Sequence, residues 1–245
     1  MSKQRTPIEI WSDVACPWCA IGERRFFRAL DARPDRDAFE VTFRAFELDP
    51  AAPRSAEPLR ARLAARYGPR ADAMLAHAGA AAASEGMRFD WDRALAARTR
   101  DAHRLLALAA RQGGGALQRR LAERLFAAQF EHGGDVSSAD ELAAHAAAAG
   151  IDPATAKELL AGDDGEAEVA ADLARARRLG IRSVPTFVFD DRLALSGAQS
   201  VSTFAAVLRE LAAEAAAAPA PGDEAAPEGC DDGACEVAPT GMAVG

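Results

Sequence analysis

Four cysteines stand in two close pairs, Cys16-Pro17-Trp18-Cys19 and Cys230-Asp231-Asp232-Gly233-Ala234-Cys235. The first pair follows a strand-like run, Ile8-Glu9-Ile10-Trp11, and opens a helical pattern. At a helix N-terminus the unsatisfied N–H groups and the aligned peptide dipoles favour negative charge. A thiolate at Cys16 is stabilised there, and the thiolate is the nucleophile of disulfide exchange. Cys19, one turn on, is placed to resolve a mixed disulfide. Pro17 suits the first helical position, where its missing N–H costs little. Half of a zinc site or two inert core thiols would share the spacing, but the strand–turn–helix setting favours redox chemistry.

The second pair, Cys230 and Cys235, can close a small disulfide loop around Gly233 without a scaffold. It reads as a redox pair or a metal clip, or it has no role. The four thiols together could hold one zinc. Redox is preferred, because the first pair already has a reason for its position, and no metal is assigned. Val184-Pro185 opens a later strand, where proline is tolerated in any fold. A cis bond there would bring the Val184 backbone beside the cysteines, free to pair with a bound peptide strand. Asp13 reads either as a proton shuttle or as a turn-former. His103 reads as a packing or capping histidine, and His77, His132 and His145 lack ligand spacing and receive no role.

These residues need positioning elements. Ile8 to Trp11 and Phe39 to Ala45 alternate as strands, with a helix between them from Ile21 to Leu30, making one βαβ unit. From about Pro58 to Gly162 the pattern is helical, with Gly113 as a stop. Ser138 and Glu141 form a capping box, and Asp152-Pro153 is a second helix start. Glu166 to Leu179 is a helix ended by Gly180. Pro185 to Phe189 and Arg192 to Leu195 are strands joined by an Asp190-Asp191 turn. Phe204, Val207, Leu208 and Leu211 mark a last amphipathic helix. The reading is an α/β domain split into 1–54 and 166–216, a helical insertion at 55–165, and an acidic segment at 217–245.

Over 245 residues the net charge is −8, without a basic block, which argues against a nucleic-acid binder held by charge. Asp223, Glu224, Glu228, Asp231, Asp232 and Glu236 carry most of that charge, and no Lys or Arg lies between Pro219 and Gly245. No apolar run is long enough to span a membrane. The polar first residues lack a secretory core, so a cytoplasmic location is expected.

The chain resembles the DsbA-like thioredoxin-fold oxidoreductases, and within them the FrnE-type cytoplasmic branch. The resemblance runs from about Ile8 to Leu211. It rests on Trp11-Ser12-Asp13 before the Cys pair, Phe46-Glu47-Leu48-Asp49-Pro50, Ala102-His103-Arg104-Leu105, Val184-Pro185-Thr186-Phe187 and Ser196-Gly197-Ala198-Gln199. It implies a thioredoxin domain with a helical insert and thiol–disulfide exchange on proteins. Cys16 would be the nucleophile, Cys19 the resolving thiol and Pro185 a cis-proline facing them, with Trp18 and Val184 contacting substrate. It also implies a redox role for Cys230 and Cys235, here read as an intramolecular relay to Cys16–Cys19. Trp18 stands where periplasmic members carry histidine, so a less oxidising couple is expected.

The expected function is a protein disulfide oxidoreductase or isomerase acting on protein disulfides and thiols. It would need no cofactor beyond its own disulfide, with glutathione or another thiol as electron donor. Neither nucleic acid nor membrane is an expected partner, and the chain would be a monomer or homodimer. Two other readings stay open: a glutathione-dependent isomerase or transferase of small aromatic substrates, as in the 2-hydroxychromene-2-carboxylate isomerases of the same superfamily, and a non-enzymatic chaperone or zinc-holding module.

Overall fold

The computed structural model describes residues 5–217. Its main sheet has four strands, β1 (Thr6–Ser12), β2 (Phe39–Ala45), β5 (Thr186–Phe189) and β6 (Leu193–Ser196), in the order β2-β1-β5-β6. β1 and β2 are parallel, with Ile10 beside Phe43, and are joined through α1 (Pro17–Asp31). β5 runs antiparallel to β1, with Phe187 opposite Ile10, and β6 runs antiparallel to β5. Asp190 and Asp191 both take positive φ in the turn between these two strands. Such a turn favours Asp, whose short side chain tolerates the left-handed region. The expected α/β thioredoxin fold with a helical insertion is thus the one observed.

Between β2 and α7 (Glu166–Arg178) lies the insertion: α2 (Leu59–Tyr67), α3 (Arg70–Ser84), α4 (Arg100–Ala127), α5 (Ala139–Ala149) and α6 (Pro153–Ala161). It is not purely helical. Glu57–Pro58 (β3) pairs with Leu95–Ala96 (β4) in a two-residue ladder, too short to leave an alternating signal. The Gly113 stop is real in backbone terms: Gly113 and Gly114 leave helical geometry, with φ of +59° at Gly114, and the chain bends before resuming the helix. Beyond the bend the Gly115 backbone lies so close to the Val41 carbonyl that no side chain would fit. Gln118 accepts from the Phe43 N–H at 3.0 Å and donates to the Phe43 carbonyl at 3.2 Å. From α7, Asp172 accepts from the Ala45 N–H at 3.0 Å.

The capping box is half formed. Ser138 accepts from the Glu141 N–H, but the Glu141 carboxylate turns to the Asp135 N–H at 2.8 Å instead of returning to Ser138. Asp152 caps α6 as expected, accepting from the Thr155 N–H at 2.8 Å.

Both faces of the sheet are covered, so β1 buries its alternate side chains on both sides. α8 (Val201–Ala217) packs on α1, and Phe26, Phe187 and Phe204 meet with ring centroids 4.6–5.5 Å apart. Edge-to-face pairs of this kind add to the burial of large apolar area. Glu9, on β1, is buried but paired with Arg44 and with Arg175 at 2.7 Å, which compensates its lost hydration.

Candidate active site

Cys16 is the N-cap of α1, with extended backbone geometry, and Pro17 takes the first helical position. No side chain caps this helix start, so its first amides are open to a negative sulfur. The Cys16 N–H is held by the Asp13 carbonyl at 2.9 Å, which fixes the turn from β1 into α1. Both cysteines are thiols. Cys16 keeps 4% exposure and Cys19 none, so an incoming disulfide meets Cys16 first.

The Val184–Pro185 peptide is cis, as expected. The Cys16 thiol donates to the Val184 carbonyl at 3.6 Å, which brings residues from the two halves of the domain together. Gly22 permits this closeness. A Cβ at Gly22 would sit 2.8 Å from Pro185 Cγ and 3.3 Å from Ala198 Cα. Arg25, one turn further along α1, donates to the Ala198 carbonyl at 2.9 Å and to Glu85 at 2.7 Å, tying the same loop to the end of α3. Trp18 is half-buried on the rim and packs edge-on against His77 of α3, with centroids 4.9 Å apart. His77 therefore touches the Cys-x-x-Cys segment, although nothing in its local sequence singles it out.

A buried polar network lies beneath the sulfurs. Asp13 accepts from the Ala15 N–H at 3.1 Å and the Leu48 N–H at 2.7 Å, and its Oδ1 lies 3.4 Å from His103 Nε2. Burial pushes the Asp13 carboxyl up, but the His103 contact and the two amides outweigh it, and the carboxyl lies below its ordinary range. Asp13 is thus a turn-former, and it also joins β1 to the loop after β2 and to the insertion. His103 is the packed residue expected, and it packs on Asp13, three residues ahead of Cys16.

Glu23 is the residue that sequence reasoning passed over. It follows Cys19 by one turn on the same face of α1, is 4% exposed, and accepts from the Ser12 hydroxyl at 2.6 Å. Burial pushes its carboxyl up to about 8, the Ser12 hydrogen bond offsets part of that, and the charge of Glu123 adds to it. Cys19 is pushed well above the ordinary thiol range, by burial first, then by Cys16, then by the Glu23 charge. A signal was present: Cys19, Glu23, Phe26 and Leu30 share one helical stripe, and an acid in an apolar stripe is a misfit. Glu23 also lines a cavity of about 110 Å³ with Arg24, Glu123 and Glu131. Ser12 and His103 line a smaller one of about 20 Å³, room for a single water.

Among the described residues no group of three or more His, Cys, Asp or Glu side chains is placed to hold a metal ion. No described helix is long and apolar enough to cross a membrane. Cys230 and Cys235 lie outside the described residues.

Residues 7–209 match the family model for the DSBA-like thioredoxin domain. No curated protein matches the chain. Among solved structures it is similar to a probable DsbA oxidoreductase from Streptomyces coelicolor, at 36% identity and a TM-score of 0.78, over 86% of this chain and 91% of that one. The cytosolic disulfide reductase DsbM from Pseudomonas aeruginosa, solved with GSH, shares the fold at 17% identity and a TM-score of 0.61, over 84% and 99% of the two chains. A 2-hydroxychromene-2-carboxylate isomerase shares it at 14% identity and a TM-score of 0.62, over 86% and 98%.

Proposed function

This chain belongs to the DSBA-like thioredoxin family, and from that premise we propose that it exchanges disulfides with protein substrates through Cys16 and Cys19. The single observation that carries the reading is the meeting of an uncapped helix start, Cys16 and the Val184 carbonyl at one point. In the reductive direction the Cys16 thiolate attacks one sulfur of a substrate disulfide. A mixed disulfide forms and the other substrate sulfur leaves as a thiolate. The Cys19 thiol then loses its proton and attacks Cys16 Sγ. The substrate leaves reduced, and the Cys16–Cys19 disulfide retains the oxidation. Oxidation of a substrate dithiol is the reverse, and isomerisation is attack and release without the Cys19 step.

Burial keeps Cys19 protonated until it is needed, and Glu23, one turn away, is the group able to accept that proton in its ionised form, which becomes populated as pH approaches about 8. Trp18 and the Val184 backbone would meet the substrate strand, with Pro185 packed behind. Glutathione or another thiol would return the oxidised pair to dithiol. No further cofactor enters, and the chain would act as a monomer or homodimer.

The finer assignment is the FrnE-type cytoplasmic branch, supported by the pair Cys230 and Cys235 in the sequence. In this reading that pair reduces Cys16–Cys19 within one molecule, becoming a disulfide as it does so. Nearby acids disfavour its thiolates, which makes Cys16 the better leaving group.

The experiment is insulin reduction with trapping. Cys16→Ser abolishes turnover, and Cys19→Ser accumulates a mixed disulfide with substrate. Alkylation that strikes Cys19 first, with no adduct in Cys19→Ser, reverses the roles. For the relay, the reduction rate of Cys16–Cys19 is compared between the intact chain and Cys230→Ser/Cys235→Ser. Equal rates, or a rate that rises with protein concentration, remove it.

A further inference from the structure

A further cavity, of about 430 Å³, is lined by Arg54, Arg98, Arg100, Arg104, Asp101 and Glu166, with Ser137 at its side. Four guanidinium groups face two carboxylates there, in a chain whose net charge is −8. Two of the arginines are already engaged. Arg100 is paired with Glu166 at 2.6 Å and lies 3.7 Å from Glu47. Arg104, nearly buried, donates to Asp101 and to the Leu159, Gly162 and Asp164 carbonyls, so it serves the fold.

Arg54 and Arg98 make no ion pair among the described residues, and the buried Nε of Arg98 has no hydrogen-bond partner. An arginine held without an acceptor beside three others is unfavourable unless an anion completes the set. The start of α4 is uncapped and carries Arg100 in its first turn, a positive end that Asp101 beside it offsets in part.

The volume is too large for a single oxyanion and suits a short stretch bearing several carboxylates. The sequence offers one: Glu228, Asp231, Asp232 and Glu236 lie in a segment without a compensating Lys or Arg. Extended at roughly 3.3 Å per residue from Ala217, these acids reach about 36 to 63 Å. A fold of this length has a diameter of about 44 Å, from a radius of gyration near 17 Å, so they can span it. The cavity also adjoins the loop after β2, which Asp13 holds by the Leu48 amide. The Arg98 N–H donates to the Pro53 carbonyl at 3.0 Å, and Glu47, facing Arg100, precedes the Leu48 amide bound by Asp13.

We infer that the acidic segment around Glu228–Glu236 docks in the arginine cavity at the start of α4, with Arg54 and Arg98 as its principal contacts. This does not depend on thiol exchange by Cys230 and Cys235. Docking would hold that pair near the loop after β2 whether or not it reacts.

The test uses the full chain and a protease that cuts after glutamate. In the intact protein, cleavage at Glu228 and Glu236 is slow. In Arg54→Gln/Arg98→Gln, or in 0.5 M NaCl, it accelerates about five- to tenfold, the loss expected for two partly exposed ion pairs. A thermal melt and insulin reduction, both unchanged, show that the double variant is folded. A second arm adds a peptide of residues 219–240, with Ser at both Cys positions, to full-length protein in which Glu228, Asp231, Asp232 and Glu236 are changed to their amides. The peptide binds that protein and binds its Arg54→Gln/Arg98→Gln form at least fivefold more weakly. Equal cleavage rates in the first arm, or equal peptide affinities in the second, overturn the inference. So does binding of inorganic phosphate without binding of the peptide, which assigns the cavity to a free anion.

Discussion

Replacing Glu23 by Gln tests the buried acid without disturbing its shape. The amide oxygen of Gln still accepts from Ser12 Oγ, but the side chain no longer titrates. In the unfolded chain Glu23 ionises near 4.5, and in the fold near 8. A carboxyl raised in this way favours folding below the unfolded value and loses that advantage as pH climbs toward the folded one. Between pH 5 and 8 the unfolded state releases its proton while the folded state largely retains it. At about 1.36 kcal/mol per unit, wild type should lose about 3.5 kcal/mol of stability from this group over that range. For a fold of this size that is on the order of 10 °C in melting temperature.

The assay is urea denaturation of the reduced protein and of Glu23→Gln at pH 5, 6, 7 and 8. The two should be nearly equal at pH 5, and the variant should pull ahead steadily as pH rises. Near pH 8, where Glu23 ionises, resolution of a preformed mixed disulfide should slow in the same variant, since Cys19 has lost its proton acceptor, and at pH 5 the two should match. Parallel stability profiles would refute the placement of Glu23 as a protonated buried acid. Divergent profiles with unchanged resolution would confine it to a structural role.

Gly22→Ala should lower insulin reduction at least tenfold and cost about 1–3 kcal/mol, because the new methyl displaces Pro185 from the thiols; a fully active variant would show that this contact does not set the site. Asp13→Ala strips acceptors from the Ala15 and Leu48 amides and should cost about 2–4 kcal/mol by urea denaturation, at about 1–2 kcal/mol for each orphaned group. His77→Ala should leave stability within about 0.5 kcal/mol, as for other exposed sites, but raise KM for a protein substrate more than it lowers kcat, since His77 supports the Trp18 rim; a pure kcat effect would contradict that role.

Much of this architecture is legible in the residues. Alternation at Ile8–Trp11 and Phe39–Ala45, the Asp190-Asp191 turn and the Asp152-Pro153 cap are local signals, and local energetics decide them. The site's outline is legible for the same reason: a strand, two cysteines and a helix are contiguous in sequence. What escapes is decided at a distance. Glu23 is a misfit in the stripe of Cys19, Phe26 and Leu30, but its partner is set only when Ser12, eleven positions earlier, is placed beside it. His77 meets Trp18 only because α3 folds back over α1. The Glu141 carboxylate abandons the capping box for Asp135 because the chain before α5 curls within its reach. The β3–β4 ladder is two residues on each side and carries no periodicity of its own.

The dressing of β2 has a consequence for association. β2 is the outer strand of the sheet, and alternate residues turn their N–H and C=O groups away from β1. At Val41 that side is closed by the Gly115 backbone, at Phe43 by both ends of the Gln118 amide, and at Ala45 by Asp172. An unprotected border of this kind is a template for adding a foreign strand, and natural sheets blunt it. Here the insertion and α7 act as a selvedge, and among the described residues the border left free is the short β6. Strand-swapped dimers or fibrils seeded from native molecules are therefore directed to the β6 side. Loss of the Gln118 amide would reopen the β2 side to edge-to-edge stacking.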